Sequence, residues 1–184
     1  MILACGSVFC AENEILTSAS SEFILLGGYG ITHRGYGDTR TQVQTFDIIF
    51  RYGHFLSGEI GKGHWYQGRH EVFLELPLHL AVDHGGRSMV GGTILGSWKF
   101  TSLDRVTPFL FAGGGILYVD LGLATMGSRL NGTYQVGGGL QHFVSKDVAF
   151  TGEYRYHHIS NLGTSHPNEP LNSSKILFGI SFFR

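Results

Sequence analysis

The chain has 184 residues, of which 42% are hydrophobic and only 15% are charged, and its formal net charge is −1. The charged share is well below the roughly 25% of ordinary soluble domains, which indicates that much of the surface does not face water. The near-neutral charge gives no electrostatic basis for nucleic-acid binding, and the length suits one domain with a real interior.

The first segment, residues 1–11, contains both cysteines of the chain among apolar and small residues. Its run VFCA, residues 8–11, resembles a signal-peptidase site. Two interpretations stay open, the remnant of a signal peptide or a disordered N-terminus. Residues 12–184 are predicted to form a single β-barrel domain, and because they contain no cysteine, neither a disulfide nor a thiolate is available to it.

Eight segments with a two-residue hydrophobic period follow. In the third, Val72, Leu74 and Leu76 share one face, and Glu71 and Glu75 lie on the other. Turn-forming sequences separate the segments. The predicted strands are residues 22–31, 43–55, 69–82, 88–100, 106–120, 131–144, 147–160 and 174–184. Eight long strands in one small chain predict an all-β fold, an eight-stranded antiparallel up-and-down β-barrel.

One segment imitates a transmembrane helix. The stretch from Pro108 to Met126 is nearly all apolar, but it contains three consecutive glycines, residues 113–115, and also Asp120. Consecutive glycines strongly disfavour a helix, so this segment is predicted to be a strand followed by a loop.

The polar faces of the strands distinguish two kinds of barrel. A soluble barrel has an apolar interior and a polar outside, and a barrel of the bacterial outer membrane has the reverse. The faces opposite the apolar rows carry both charge signs with Gln, Thr and Gly but little Lys, as expected for a packed polar interior. We therefore predict a transmembrane barrel in the outer membrane, with a soluble lipid-binding barrel as the alternative. The charged residues predicted to face the interior are Asp47, Arg51, Glu71, Glu75, Glu153 and Arg155.

The seventh predicted strand ends with a histidine and a serine on one face. His158 and Ser160 are two residues apart, so their side chains point the same way, and an imidazole there can act as a base for the hydroxyl. Their parity places them in the lipid-facing row, above Tyr154 and Tyr156 of an interfacial belt. A nucleophile that faces lipid suits an ester bond presented by the membrane. Both termini of such barrels usually lie in the periplasm, so this strand is predicted to end at the outer leaflet.

The run RYHHISNLGTSHPNEPLN, Arg155 to Asn172, resembles the C-terminal signature of the PagL-type lipid A 3-O-deacylases, a family of outer-membrane esterases. The resemblance implies an eight-stranded barrel that removes an acyl chain from lipid A without a metal or another cofactor. It implies Ser160 as the nucleophile and His158 as its base. It also implies Asn161 as a donor to the oxyanion, together with a nearby backbone N–H, for which Gly163 is the candidate.

The third member of the catalytic group departs from the family pattern. Asn172 stands where the family carries Glu. An asparagine can hold an imidazole in the right tautomer, but it cannot offset the charge of the imidazolium. Glu169, three residues earlier, is the other candidate for this role. Both stay open here, as does a non-catalytic barrel that retains the motif.

The substrate contacts are also predictions. Tyr154 and Tyr156 are expected to contact the lipid, and Arg34 and Arg129 fall in predicted external loops, where they would meet the phosphates of lipid A. The expected partner is lipopolysaccharide in the outer leaflet of the membrane, with no nucleic acid. A homodimer is left open.

Overall fold

The structure, a computed structural model, describes residues 15–103 and 106–184. Its eight antiparallel strands form a closed barrel in which each strand pairs with its sequence neighbours and the first pairs with the last. The strands are β1 Ser21–Thr32, β2 Gln44–Phe55, β3 Gly68–Ala81, β4 Ser88–Phe100, β5 Val106–Asp120, β6 Leu130–Phe143, β7 Val148–Ser160 and β8 Leu171–Phe183. The predicted fold is confirmed. The predicted signal-peptide remnant or disordered segment, residues 1–11, lies outside the described residues.

The strand boundaries agree with the predicted ones to within one residue except at the start of β8. This strand begins at Leu171 instead of residue 174, so Asn172 belongs to the strand and the predicted start of the last strand was wrong. Leu171 is buried in an apolar cluster with Ile159 of β7, and the pairing of β7 with β8 continues to that point. Burial and strand pairing thus override the loop-like composition of the segment.

The apolar segment from Pro108 is β5 up to Asp120, as predicted. Among the helical residues that the structure describes, none belongs to a helix long and apolar enough to cross a membrane.

The outer surface of the strands is an apolar belt. Large hydrophobic side chains alternate along each strand with buried ones, as a sheet with a two-residue period requires. Such a belt faces lipid in an outer-membrane barrel. Exposed members of the belt include Leu25, Phe46, Ile48, Phe50, Leu74, Leu76, Ile94, Leu110, Ile116, Val136, Leu140, Phe150, Ile176 and Phe178.

The interior of the barrel is charged and paired, which excludes the soluble alternative with its apolar interior. At mid-barrel, Glu75 accepts from Arg51 at 2.6 Å and from Arg155 at 3.0 Å. Arg155 also pairs with Glu153, and the Arg51 guanidinium lies over the ring of Phe73 at 4.4 Å. Buried charges are tolerated when they are paired in this way.

Apolar clusters close the two ends of the interior. Near one end, Leu16, Phe143 and Phe183 pack together, and Arg69 donates to the carbonyl oxygen of Leu16. The other end, which we call the site end, has its own apolar cluster, including Ile159 and Leu171. Four connections meet at the site end. They are residues 33–43, which we call the first loop; residues 82–87; residues 121–129; and residues 161–170, which we call the fourth loop.

Candidate active site

A histidine and a serine lie at the site end of β7, on its outer face. The Nε2 atom of His158 is 3.1 Å from Oγ of Ser160, within hydrogen-bond distance. The strand brings them together because residues two apart share a face. The neighbouring His157 points into the interior, where its Nε2 atom lies 2.6 Å from Oγ1 of Thr133.

An asparagine adds a third side chain to the pair of His158 and Ser160. Asn172 of β8 lies directly opposite His158 in the register of the two strands, and its Oδ1 atom is 2.7 Å from Nδ1 of the imidazole. The hydroxyl of Tyr156 donates to the same oxygen at 2.5 Å. Ser160, His158 and Asn172 therefore form a hydrogen-bonded row of hydroxyl, imidazole and amide, which is the arrangement of a serine hydrolase triad.

The other candidate for the third position lies elsewhere. The Oε1 atom of Glu169 accepts from the backbone N–H groups of Arg40 at 2.7 Å and Thr41 at 2.5 Å. Partial burial raises the pKa of Glu169, but hydrogen bonds from Thr125, Thr41 and those backbone groups outweigh it, so the pKa is lowered. Glu169 ties the fourth loop to the first loop, and its carboxylate does not contact the imidazole.

Aromatic rings fix the plane of the imidazole. Tyr134 of β6 lies opposite His158 in the register and stacks on its ring, with centroids 4.5 Å apart and an interplanar angle of 20°. Tyr36 of the first loop meets Tyr156 edge to face at 6.1 Å. Neither Tyr134 nor Tyr36 was predicted from the sequence to belong to the site. The β6–β7 register would have identified Tyr134, whereas no sequence signal places Tyr36 here.

The predicted nucleophile, Ser160, lies beside a strained turn. Ser160 exposes only 7% of its surface, and its register partner on β6 is Gly132. The side chain of Leu162 lies over Gly132, where a Cβ atom would come within 2.9 Å of it. Leu162 has φ +57°, a conformation that costs about 1–2 kcal/mol for a residue with a Cβ atom. Backbone strain of this kind is concentrated at functional sites.

The two predicted oxyanion donors are engaged within the fourth loop. The amide of Asn161 donates to the carbonyl oxygens of Ser165 at 2.8 Å and Pro167 at 3.3 Å. The N–H of Gly163 donates to Oδ1 of Asn161 at 3.0 Å. These contacts order the turn that follows Ser160, and the oxyanion role of both residues stays a prediction.

The remaining predicted contact residues lie around the row. The hydroxyl of Tyr154 is 2.6 Å from Oγ of Ser174. Arg34 is exposed in the first loop, and Arg129, at the end of the connection before β6, donates to the hydroxyl of Tyr118 at 3.0 Å. Both arginines therefore lie at the site end, but the triad row itself holds neither. Within residues 15–103 and 106–184, no group of three or more His, Cys, Asp or Glu is placed to hold a metal ion.

Comparisons with known proteins identify a family. The sequence model of one family, described as lipid A 3-O-deacylase (PagL), matches residues 36–181. No curated protein matches the chain.

Solved structures share the barrel. The crystal structure of the outer membrane enzyme PagL is 17% identical, covers 86% of this chain and 97% of that one, and has a TM-score of 0.59. Neisserial surface protein A is 14% identical, covers 89% and 97%, and has a TM-score of 0.63. The outer membrane protein OprG from Pseudomonas aeruginosa is 11% identical, covers 92% and 98%, and has a TM-score of 0.52. At these identities the likenesses establish the fold alone.

Proposed function

The chain belongs to the lipid A 3-O-deacylase (PagL) family, and on that premise we propose that it is an outer-membrane serine esterase that removes the 3-O-linked hydroxyacyl chain from lipid A. The observation that carries this proposal is the hydrogen-bonded row of Ser160, His158 and Asn172 on the lipid-facing side of the barrel. The proposed place of action is the outer leaflet, where the site end would meet lipopolysaccharide.

The proposed reaction uses the hydrogen-bonded row of Ser160, His158 and Asn172. His158 takes the proton of Ser160 through Nε2 as Oγ attacks the ester carbonyl, and a tetrahedral oxyanion forms. The oxyanion collapses, the bond to the sugar oxygen breaks, and His158 gives its proton to the departing 3-hydroxyl. Water then attacks the acyl-serine with His158 again as the base, which releases the hydroxy fatty acid and restores Ser160.

The proposed part of Asn172 in this reaction is to fix the tautomer of His158. Its Oδ1 atom accepts the Nδ1–H of His158 and so leaves Nε2 free to take a proton. An amide does not offset the charge of the imidazolium as a carboxylate would, so a lower rate than that of a carboxylate triad is expected. The site is partly exposed and next to the loops, which supplies water for the second step.

Oxyanion stabilisation is assigned to Asn161 and the backbone N–H of Gly163. Each donor would exchange a present hydrogen bond for one to the developing oxyanion; the longest of these bonds is the 3.3 Å contact from the Asn161 amide to the carbonyl oxygen of Pro167. Arg34 and Arg129 are proposed to contact the phosphates of lipid A, and Tyr154 and Tyr156 the acyl region.

The alternative is a barrel without catalytic activity. Neisserial surface protein A shares the fold, so the fold alone does not select an enzyme. The specific observation in favour of this alternative is the amide at position 172.

Mass spectrometry of lipid A separates the two functions. Purified lipid A is incubated with the detergent-refolded protein and with Ser160→Ala, and folding is verified by heat-modifiable migration in gels. We expect the parent alone to remove one hydroxyacyl chain. Unchanged lipid A with a correctly folded parent would favour the non-catalytic barrel.

A further inference from the structure

The side-chain amide nitrogen of Asn172 faces the first loop, whereas its oxygen faces His158. Its Nδ2 atom lies 2.9 Å from Oγ1 of Thr39 and 3.3 Å from the carbonyl oxygen of Tyr36. Thr39 is almost completely buried, and its hydroxyl oxygen also lies 3.1 Å from the backbone nitrogen of Asn172. Both hydrogens of the amide therefore have an acceptor in the first loop.

The hydrogen bonds of Thr39 fix the orientation of that amide. The hydroxyl has one proton, and it donates this proton to the carbonyl oxygen of Pro170 at 2.9 Å. Its oxygen can then only accept from Asn172. The carbonyl oxygen of Tyr36 is also an acceptor, so the amide nitrogen faces the first loop and Oδ1 faces the imidazole.

The orientation of the amide determines the tautomer of the imidazole. With Oδ1 toward His158, only a protonated Nδ1 can make the 2.7 Å contact, and Nε2 keeps a free lone pair toward Ser160. If the amide turned over, its NH₂ group would face Nδ1. The ring would then carry its proton on Nε2 and could not take one from the serine.

We propose that Thr39 is a positioning residue that sets the tautomer of His158 through Asn172. We also propose that the hydrogen-bonding groups of the first loop suit an amide at position 172 better than a carboxylate. The part of this proposal that concerns rate rests on the proposed esterase function. A carboxylate at position 172 would place an oxygen against the Tyr36 carbonyl and against a hydroxyl whose proton is already donated. An amide at position 172 therefore satisfies the hydrogen-bonding groups of the first loop, whereas a carboxylate would require the Thr39 hydroxyl to give up its bond to Pro170.

The rate test is a double-mutant cycle. Thr39→Val removes the hydroxyl and keeps the branched shape, and we expect kcat to fall about tenfold or more with KM within about twofold. Thr39→Ser, which restores the hydroxyl, is expected within about threefold of the parent. In an Asn172→Asp background both carboxylate oxygens accept, so no orientation has to be fixed, and Thr39→Val is expected to change kcat by less than about threefold.

The same cycle can overturn the proposal. If Thr39→Val lowers kcat equally in the Asn172 and Asn172→Asp backgrounds, Thr39 contributes packing and no orientation. An unchanged kcat for Thr39→Val in the parent background would also refute the positioning role. Heat-modifiable gel migration of every variant verifies that the barrel is folded.

A second readout does not depend on activity. In ¹⁵N-histidine-labelled protein, with the His158 signals assigned by their loss in His158→Gln, we expect the parent to show a protonated Nδ1 and an unprotonated Nε2. Thr39→Val is expected to populate the opposite tautomer, and Thr39→Ser to retain the parent pattern. An inactive parent with these spectra would refute the esterase function and leave the positioning intact. If the parent is active and the tautomer of His158 is unchanged in Thr39→Val, the positioning role alone would be refuted.

Discussion

Among the residues that the structure describes, two imidazole–hydroxyl pairs lie on the outer face of this barrel, and they differ in their surroundings. His158 and Ser160 are 3.1 Å apart, whereas His33 and Ser174 are closer, at 2.7 Å. His33 is exposed, and among the described residues its Nδ1 atom has no hydrogen-bond partner. Distance alone would therefore favour His33 and Ser174 over the proposed catalytic pair.

The difference lies in what holds each ring. His158 has Asn172 on Nδ1 and the ring of Tyr134 against its face, and a strained turn follows its serine. Ser174 is shared with the hydroxyl of Tyr154, which makes that pair part of an interfacial hydrogen-bond cluster. A base needs a fixed tautomer and a fixed ring plane, and the second pair has neither.

The largest expected effect separates the two serines. Ser160→Ala is expected to lower the release of hydroxy fatty acid from lipid A by at least about 10³-fold, because the nucleophile is removed. The matched change Ser174→Ala is expected to stay within about threefold of the parent. Equal loss in both variants, measured by mass spectrometry of the products, would refute the distinction between the pairs.

The second prediction removes the third member. Asn172→Ala is expected to lower kcat about 10²-fold, because His158 loses the acceptor that sets its tautomer. His33→Ala serves as the control and is expected to have little effect on kcat. A full loss in His33→Ala with Asn172→Ala unaffected would assign the catalytic base to the other pair.

The third prediction concerns the ring plane. Tyr134→Ala removes the ring stacked on His158, and since such contacts contribute about 0.5–1.5 kcal/mol, kcat is expected to fall by a factor of about 2 to 13. Tyr134→Phe keeps the ring and is expected to retain the parent rate. If the alanine and phenylalanine variants have the same kcat, stacking does not contribute to catalysis.

The smallest effect is expected at Glu169. Its pKa is lowered in the folded protein, so its stabilisation of the loops is present at neutral pH and is lost as the pH falls below about 4. Glu169→Gln is expected to reduce the hydrogen-exchange protection of residues 33–43 at pH 7, and its difference from the parent is expected to narrow as the pH falls below about 4. Protection of the parent that does not change with pH would contradict this role.

The barrel could be predicted from the sequence alone, and so could the placement of His158 and Ser160 in the candidate site. Period-two apolar rows identify the strands and their lipid-facing sides because alternation on a strand is local. For the same reason His158 and Ser160 could be placed on one face. The resemblance contributed Asn172, but its place in β8 was missed because burial of Leu171 and pairing with β7 set that boundary.

The rest of the site depends on contacts across the barrel. Thr39 is more than 130 residues from Asn172 along the chain, and the first loop that carries it has no regular pattern. Glu169 is a plausible triad acid by its position in the sequence, and only the fold reveals that backbone N–H groups of the first loop already bind its carboxylate. Such placements depend on which strands pair and on how the loops pack, and neither can be read from a short stretch of sequence.

The most direct test of the account is to label both serines in one experiment. The refolded protein is treated with a lipid-like fluorophosphonate, which reacts only with an activated serine, and the labelled peptide is identified by mass spectrometry. We expect phosphonylation of Ser160 and none of Ser174, with the label lost in His158→Gln and retained in His33→Ala. Label on Ser174, or none on Ser160 in a correctly folded barrel, would contradict it.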